Sequence, residues 1–306
     1  MSASVKPWFA NREGEVVVYR VNRRPLGAET LFPAQQPDDV FDHFTRMLAP
    51  GWEVVSGRGN QRIWRIGGVE RDPASQLLTG KLGWVPRGEE VVPEWSAEDK
   101  DWLANFAAPH GGRILPFGFD GESRLLAVVR DGTSAPNTIG AVFQKVLREN
   151  ERELADPTTE WSVEPILDAR DFLSWLDALD VVVSVSFTAK LPNPEPRADF
   201  ADLVQRMERH HATTFTETYK SRRAEGLTGV EDDPDFKQAV AMGTQGFATL
   251  RGRGRVDGTI THYGQEEAVA SERIEELPST WEEMRAVLGD LLKNRLRRFL
   301  NDGNAA

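Results

Sequence analysis

Residues 246–255 read Gly-Phe-Ala-Thr-Leu-Arg-Gly-Arg-Gly-Arg, with arginine at every second position of the latter half. In a strand, residues i, i+2 and i+4 share one face. If the segment is extended, Arg251, Arg253 and Arg255 stand side by side, roughly 6.6 Å apart at ~3.3 Å per residue. Gly252 and Gly254 then leave the opposite face bare. A row of guanidiniums suits a phosphate backbone, because each forms charge-assisted bonds to phosphate oxygens. The same pattern would also keep an edge strand soluble and prevent edge-to-edge pairing.

The 306 residues suggest about two domains, each with enough chain for a core. Hydrophobic content of 40% and charged content of 28% are those of a globular protein. No apolar run reaches the ~20 residues of a membrane helix, and the N-terminus lacks a signal-peptide core. Both observations predict a cytoplasmic protein. With no cysteine, disulfides, thiolate zinc sites, iron–sulfur clusters and cysteine nucleophiles are excluded. The net charge of -11 argues against a cation-coated surface but permits a local basic patch. Cations cluster at Lys220, Arg222 and Arg223, at Arg251, Arg253 and Arg255, and at Lys293, Arg295, Arg297 and Arg298.

The pattern predicts an α+β protein with mixed sheets, flanking helices and two lobes, residues 1–176 and 177–306. Strands are expected at 15–21, 52–56, 62–66, 78–85, 113–119, 124–129 and 161–166. Helices are expected at about 37–48, 97–106, 137–152 and 169–176. Residues 179–191 alternate Val181, Val183, Val185, Phe187 and Ala189 with Ser184, Ser186 and Thr188, the mark of a strand with one buried face. The proline run from Pro192 stops it. A long helix is expected over 198–223, with His211 on its apolar side. An antiparallel meander follows at 246–255, 259–263 and 268–275. The terminal helix opens on a Ser279/Glu282 capping box and carries a seam of Trp281, Met284, Leu288 and Leu291. That seam packs either on its own domain or on a second copy in a homodimer.

The three basic clusters, if they meet phosphate, form a nucleic-acid interface of Lys220, Arg222, Arg223, Arg251, Arg253, Arg255, Lys293, Arg295, Arg297 and Arg298. Cations in a helix's last turn also offset its dipole, which is the competing explanation for the terminal set. No base-reading chemistry accompanies them, so a nucleic acid bound there is expected to be held with little sequence preference. No cofactor or metal site is expected: His210 and His211 diverge by roughly 100° on a helix. Residues 251–255 lack the Lys-Ser/Thr of a phosphate loop, and no Gly-x-Ser-x-Gly elbow is present. The stretch Arg206-Met-Glu-Arg-His-His211 is similar to the Arg-x4-His motif of HEPN ribonucleases, which implies a catalytic pair of Arg206 and His211. A protein-protein scaffold is a third reading.

The order of segments resembles RexA-type proteins of phage superinfection exclusion. The features that carry this are Val17-Val18-Tyr19-Arg20, then Leu125-Leu-Ala-Val-Val-Arg130 running through Thr133 to Pro136, and Val181 to Leu191 ending in Thr188-Ala-Lys-Leu-Pro192. KwaB-type DNA-binding defence proteins are a second comparison. The resemblance implies a non-enzymatic homodimer that binds double-stranded DNA, senses phage DNA, signals to a membrane-protein partner and acts in abortive infection.

Overall fold

The computed structural model describes residues 13–25, 40–48, 53–56, 61–86, 95–96, 101–102, 112–130, 132, 134–153, 159–166, 169–192, 200–264, 269 and 271–295. In chain order these form β1 (Gly14–Pro25), α1 (Val40–Met47), β2 (Glu53–Ser56), β3 (Arg62–Asp72), β4 (Leu77–Pro86), β5 (Trp95–Ser96), β6 (Asp101–Trp102), β7 (Arg113–Asp120), β8 (Leu125–Arg130), α2 (Pro136–Glu153) and β9 (Thr159–Pro165). There follow α3 (Ala169–Asp177), β10 (Val181–Lys190), α4 (Ala201–Arg209), β11 (Thr214–Lys220), α5 (Pro234–Gly243), β12 (Ala248–Val256), β13 (Thr259–Tyr263), β14 (Ser271–Ile274) and α6 (Trp281–Asp290). The fold is α+β. Among the described residues no helix is long and apolar enough to cross a membrane.

The chain forms two compact units, Met1–Val163 with Ser271–Arg297, and Glu164–Ala270 with Arg298–Ala306. The division therefore falls earlier than residue 177, and the last helix returns to the first unit. That unit's sheet runs β14-β1-β8-β7-β4-β3-β2, with β9 also paired to β1. Its core is aromatic: Phe44 and Phe119 lie 4.0 Å apart by ring centroids, and Phe117 and Phe143 5.1 Å.

Three expectations change here, and the terminal seam takes the first of its two alternatives. The third meander strand, β14, leaves its neighbours and pairs with β1, Glu15 opposite Arg273 and Val17 opposite Ser271. The capping box sits one residue on, with Thr280 and Glu283 exchanging side-chain and backbone bonds. The terminal seam packs on its own unit: Met284, Leu288 and Leu291 are buried together with Leu292, half-buried Trp281 donates its indole N–H to Glu70 at 3.0 Å, and Leu288 and Leu292 rest over Gly118 of β7. It offers no dimer face. In place of a helix over 97–106, Asp101–Trp102 pairs with Trp95–Ser96; the remainder of that stretch lies outside the described residues.

The second unit is a two-layer sandwich with sheet order β11-β10-β12-β13, all neighbours antiparallel. Val185, Phe187 and Ala189 of β10 and Ala248 and Leu250 of β12 turn to one side. There they meet Phe172 and Leu176 of α3, Leu203, Val204 and Met207 of α4, and Phe236, Ala239 and Met242 of α5. The expected long helix is split. It ends at Arg209, and His210 caps it. His211 takes φ 52°, while the His211 and Ala212 N–H groups donate to Glu208 and Met207 carbonyls at 3.0 and 2.9 Å. This is a Schellman ending with histidine where glycine is usual. Residues 214–220 then run as β11, because Thr214, Thr216 and Thr218 alternate with Phe215, Glu217 and Tyr219, a period of two built on β-branched residues.

Inside the first unit, buried His43 of α1 bridges three elements. Its Nε2 lies 3.0 Å from Glu151 of α2, and its Nδ1 accepts from Arg23 of β1 at 3.2 Å. The Trp161 indole donates to the same Glu151 at 3.0 Å. An imidazole that accepts from arginine at Nδ1 is neutral and donates from Nε2. Burial lowers its pKa below 6.5, Glu151 opposes this, and Arg23 and Arg46 reinforce it. A histidine whose folded pKa is depressed stabilises the fold above its unfolded value, and that stability is lost as pH falls from about 6.5. The melting temperature of the wild type should therefore drop between about pH 7.5 and 5.5, above the carboxylate range, and His43→Gln should flatten that slope. A melting temperature constant across the interval in the wild type would overturn the neutral bridge.

Candidate nucleic-acid interface

The four-stranded sheet of the second unit has one side packed on helices and one side open. Period two puts Thr249, Arg251, Arg253 and Arg255 of β12 on the open side, and all three arginines are exposed. Register fixes their neighbours. Arg251 lies opposite Ser186, and Arg253 opposite Ser184. Beyond β10, Ser184, Ser186, Thr188 and Lys190 face Lys220, Thr218, Thr216 and Thr214 of β11. On the other flank, Arg253 and Arg255 face His262 and Ile260 of β13. Lys220, Ser184, Arg253 and His262 thus form one transverse row, while the three arginines form a row along β12, and the rows cross at Arg253.

The strand positions of this face contain hydroxyls, cations, one histidine, one isoleucine and, opposite Arg255, Val181. Among the described residues no carboxylate pairs with Arg251, Arg253 or Arg255. Carboxylates occur at two margins: Glu164 holds Lys190, and Asp180 accepts from the Asp257 N–H at 2.6 Å beside the β12–β13 turn. The Thr188 and Thr216 hydroxyls bond to each other at 3.0 Å.

Two properties of β12 differ from the sequence reading. It is a central strand, paired on both sides, so its charges guard no edge. Its glycine side is also not bare. A β-carbon on Gly252 would lie 2.3 Å from the Trp175 ring, and one on Gly254 would lie 2.3 Å from Leu179 Cδ1. Trp175 is itself wedged between Phe172 and Tyr263, at centroid distances of 6.0 and 5.3 Å. The glycines are there so that the end of α3 can lie on the strand's backbone.

The other basic candidates separate. Lys220 ends β11 on the open face, and exposed Arg222 and Arg223 follow it in the turn, where Ser221 N–H donates to Val183 O at 3.0 Å. Lys293 belongs to the first unit and is already engaged: its ammonium bonds Asp120 and lies 3.8 Å from Glu122. Burial alone would raise the Asp120 carboxyl, but the Lys293 and Ser123 donors outweigh it and hold it below the ordinary range. This withdraws Lys293 from the interface. Arg295 lies in the first unit, in a wide helical turn after α6. Arg297 and Arg298 are outside the described residues.

The HEPN-like pair is not assembled. Arg206 Nη1 donates to Asp235 at 2.7 Å, its Nη2 lies 3.8 Å from Glu217, and its guanidinium stacks 4.4 Å from the Phe215 ring centroid. All of this is on the helix side of β11. His211 is exposed, beyond the end of α4, and serves the Schellman turn. The two residues share no helix face. Among the described residues no group of three or more histidines and carboxylates could hold a metal.

Filling the space under Gly252 forces the Trp175 indole out of an aromatic cluster, whereas Leu179 has a flexible end that can yield. Gly252→Ala should destabilise the second unit by about 1–3 kcal/mol in denaturant unfolding, and Gly254→Ala by less. Equal and negligible effects would show that α3 does not press on β12.

The comparisons with known proteins are sparse. No curated protein and no solved structure matches the chain. A family model described as "Domain of unknown function (DUF4747)" matches residues 101–292. That match spans more than half of the 306 residues, including residues 164–270 of the second unit, and the chain belongs to the DUF4747 family.

Proposed function

We propose that the open sheet face of the second unit binds double-stranded DNA through its phosphates, without sequence preference and without chemistry of its own. The observation that carries this is the row of three exposed, carboxylate-free arginines on a central strand. An edge strand needs charge to stay unpaired; β12 has no free edge, so that explanation for its arginines lapses. On β10 the neighbours of Arg251 and Arg253 are the short hydroxyls of Ser186 and Ser184, which leave the guanidiniums open and can themselves donate to phosphate oxygens. Apart from the single His262 imidazole the strand positions of the face carry no aromatic ring, so the succession of stacking rings that grips a single strand is not found there. Phosphate contact favours a duplex, whose backbone is regular and independent of sequence.

Six cations lie on or beside this face: Arg251, Arg253, Arg255, Lys220, Arg222 and Arg223. Six phosphate contacts give a slope of log affinity against log salt of about -5. Fluorescence anisotropy on duplexes of unrelated sequence should give similar affinities and that slope. Changing Arg251, Arg253 and Arg255 together to serine should reduce the slope to about -3 and weaken binding at least ten-fold, with no loss of thermal stability. An unchanged slope in the triple variant, or no complex at low salt, would defeat the proposal. Tighter binding of a single strand than of a duplex would redirect it.

DNA contact is also the first step of the defence role implied by the RexA-like resemblance, so that role stands or falls with the same variant. The ribonuclease reading has a separate test. His211→Gly relieves a left-handed backbone position and should hold or raise stability, by up to about 1 kcal/mol. Loss of an RNA-cleaving activity in this stable variant would revive the catalytic pair.

A further inference from the structure

We infer that β13 is the docking edge for a second copy of this chain, and that two copies pair β13 to β13 on DNA to make one continuous eight-stranded sheet. This deepens the DNA-binding reading and takes that surface as its basis.

The direction of the backbone bonds leads there. Asp180 N–H donates to Arg255 O at 2.9 Å, and Lys190 N–H donates to Phe247 O at 2.8 Å. Odd-numbered residues on this side of β12 therefore bond toward β10. In an antiparallel ladder, alternate residues bond to alternate sides, so Gly252, Gly254 and Val256 bond toward β13. Their register partners are Tyr263, Thr261 and Thr259. The turn agrees: Asp257 and Gly258 have φ 51° and 75°, a two-residue type I′ hairpin that makes Val256 and Thr259 a bonded pair. Ile260 and His262 consequently turn their N–H and C=O groups to the outer edge, where no described strand pairs with β13.

That edge has none of the usual defences. Thr259, Ile260, Thr261, His262 and Tyr263 include no lysine, proline or carboxylate, and the register with β12 has no bulge. Ile260 is 46% exposed, more than Val55 or Leu173, the other exposed large apolar residues among those described. The edge is also self-complementary. An antiparallel pairing about a twofold axis through Thr261 sets Ile260 against the second copy's His262, and His262 against the second copy's Ile260. Both are outward-bonding positions, so four main-chain bonds form. The two isoleucines become diagonal neighbours on the open face.

The twofold runs perpendicular to the sheet and leaves both arginine rows on the same side. Their strands are three strand spacings apart, about 14 Å, beyond the ~8 Å screening length at physiological salt. The rows therefore add for a polyanion without opposing each other strongly. Four bonds and one isoleucine contact do not cover the entropy of free association. A duplex that engages both faces supplies the missing effective concentration.

The chain has no cysteine, so one introduced thiol reports only on contact between copies. In the proposed register Thr261 lies directly opposite the second copy's Thr261 in a non-bonded pair, with α-carbons about 4.5 Å apart, within disulfide range. Under mild oxidation on duplex DNA, Thr261→Cys should give a covalent dimer at least ten-fold in excess of Thr259→Cys, which the register displaces from its counterpart. Ile260→Pro removes an outward N–H that β12 does not use. Added to Thr261→Cys it should abolish the cross-link and the cooperativity of binding, while a single copy still binds with the salt slope of six contacts. Equal cross-linking at 259 and 261, or none at 261 on DNA that the protein saturates, would overturn the pairing. Cross-linking at 261 with no DNA binding at all would uphold the pairing and refute the DNA reading instead.

Discussion

The end of α3 lies directly on the backbone of β12, and the second unit's two-sidedness follows from that contact. Trp175 and Leu179 approach the strand so closely that positions 252 and 254 have no room for a β-carbon. Because side chains alternate across a strand, a strand with glycine below at every second residue must carry its functional side chains above. The three arginines are thus placed by the packing beneath them. A register slip of one residue would drive guanidiniums into the Phe172, Trp175 and Tyr263 cluster, at a desolvation penalty. The binding row and the core contact are two consequences of one alternation.

The same alternation sorts charge by side. On β11, Glu217 points toward the helices, where it lies near Arg206. Burial, then the Glu217 and Asp233 carboxylates, push the Tyr219 phenol up. Asp233 caps α5 by accepting from Phe236 N–H, and Asp235 binds Arg206. The carboxylates of this unit's central elements are therefore committed below the sheet, while Lys220 and the arginines stand above it among serines and threonines. A chain of net charge -11 can in this way present a cationic face.

Much of this was legible in the residues. The valine and serine alternation of β10 and the Arg-Gly alternation of β12 each identified both a strand and its two faces, because period two survives any tertiary context. The α+β class followed from the same patterns. Other features were not legible, for distinct reasons. The stripe of Phe200, Leu203, Val204 and Met207 continues in register to His211, which makes one helix over 198–223 the local expectation; the Thr-x-Thr-x-Thr alternation from Thr214 is the signal that ends it. Partner choice between strands depends on long-range register, so nothing local placed β14 beside β1 or gave β12 two neighbours. Lys293 read as a free cation because its partner, Asp120, is 173 residues away in sequence.

The energetics of an open arginine row also say what kind of ligand it suits. Two guanidiniums roughly 6.6 Å apart repel by about 0.6 kcal/mol in water before screening, and salt reduces this further. An exposed carboxylate beside each would return about 0–1 kcal/mol. Leaving the row unpaired therefore costs the fold little. The gain on binding is of a different order, since each phosphate contact releases a condensed counterion and the effects multiply along a continuous strand. A lone phosphate ion spans one guanidinium of a row spaced roughly 6.6 Å apart, so it gains little. A polymer of phosphates meets the whole row, and on a sheet joined through β13 it would meet two. The face is suited to a ligand by that ligand's length more than by the shape of any single group.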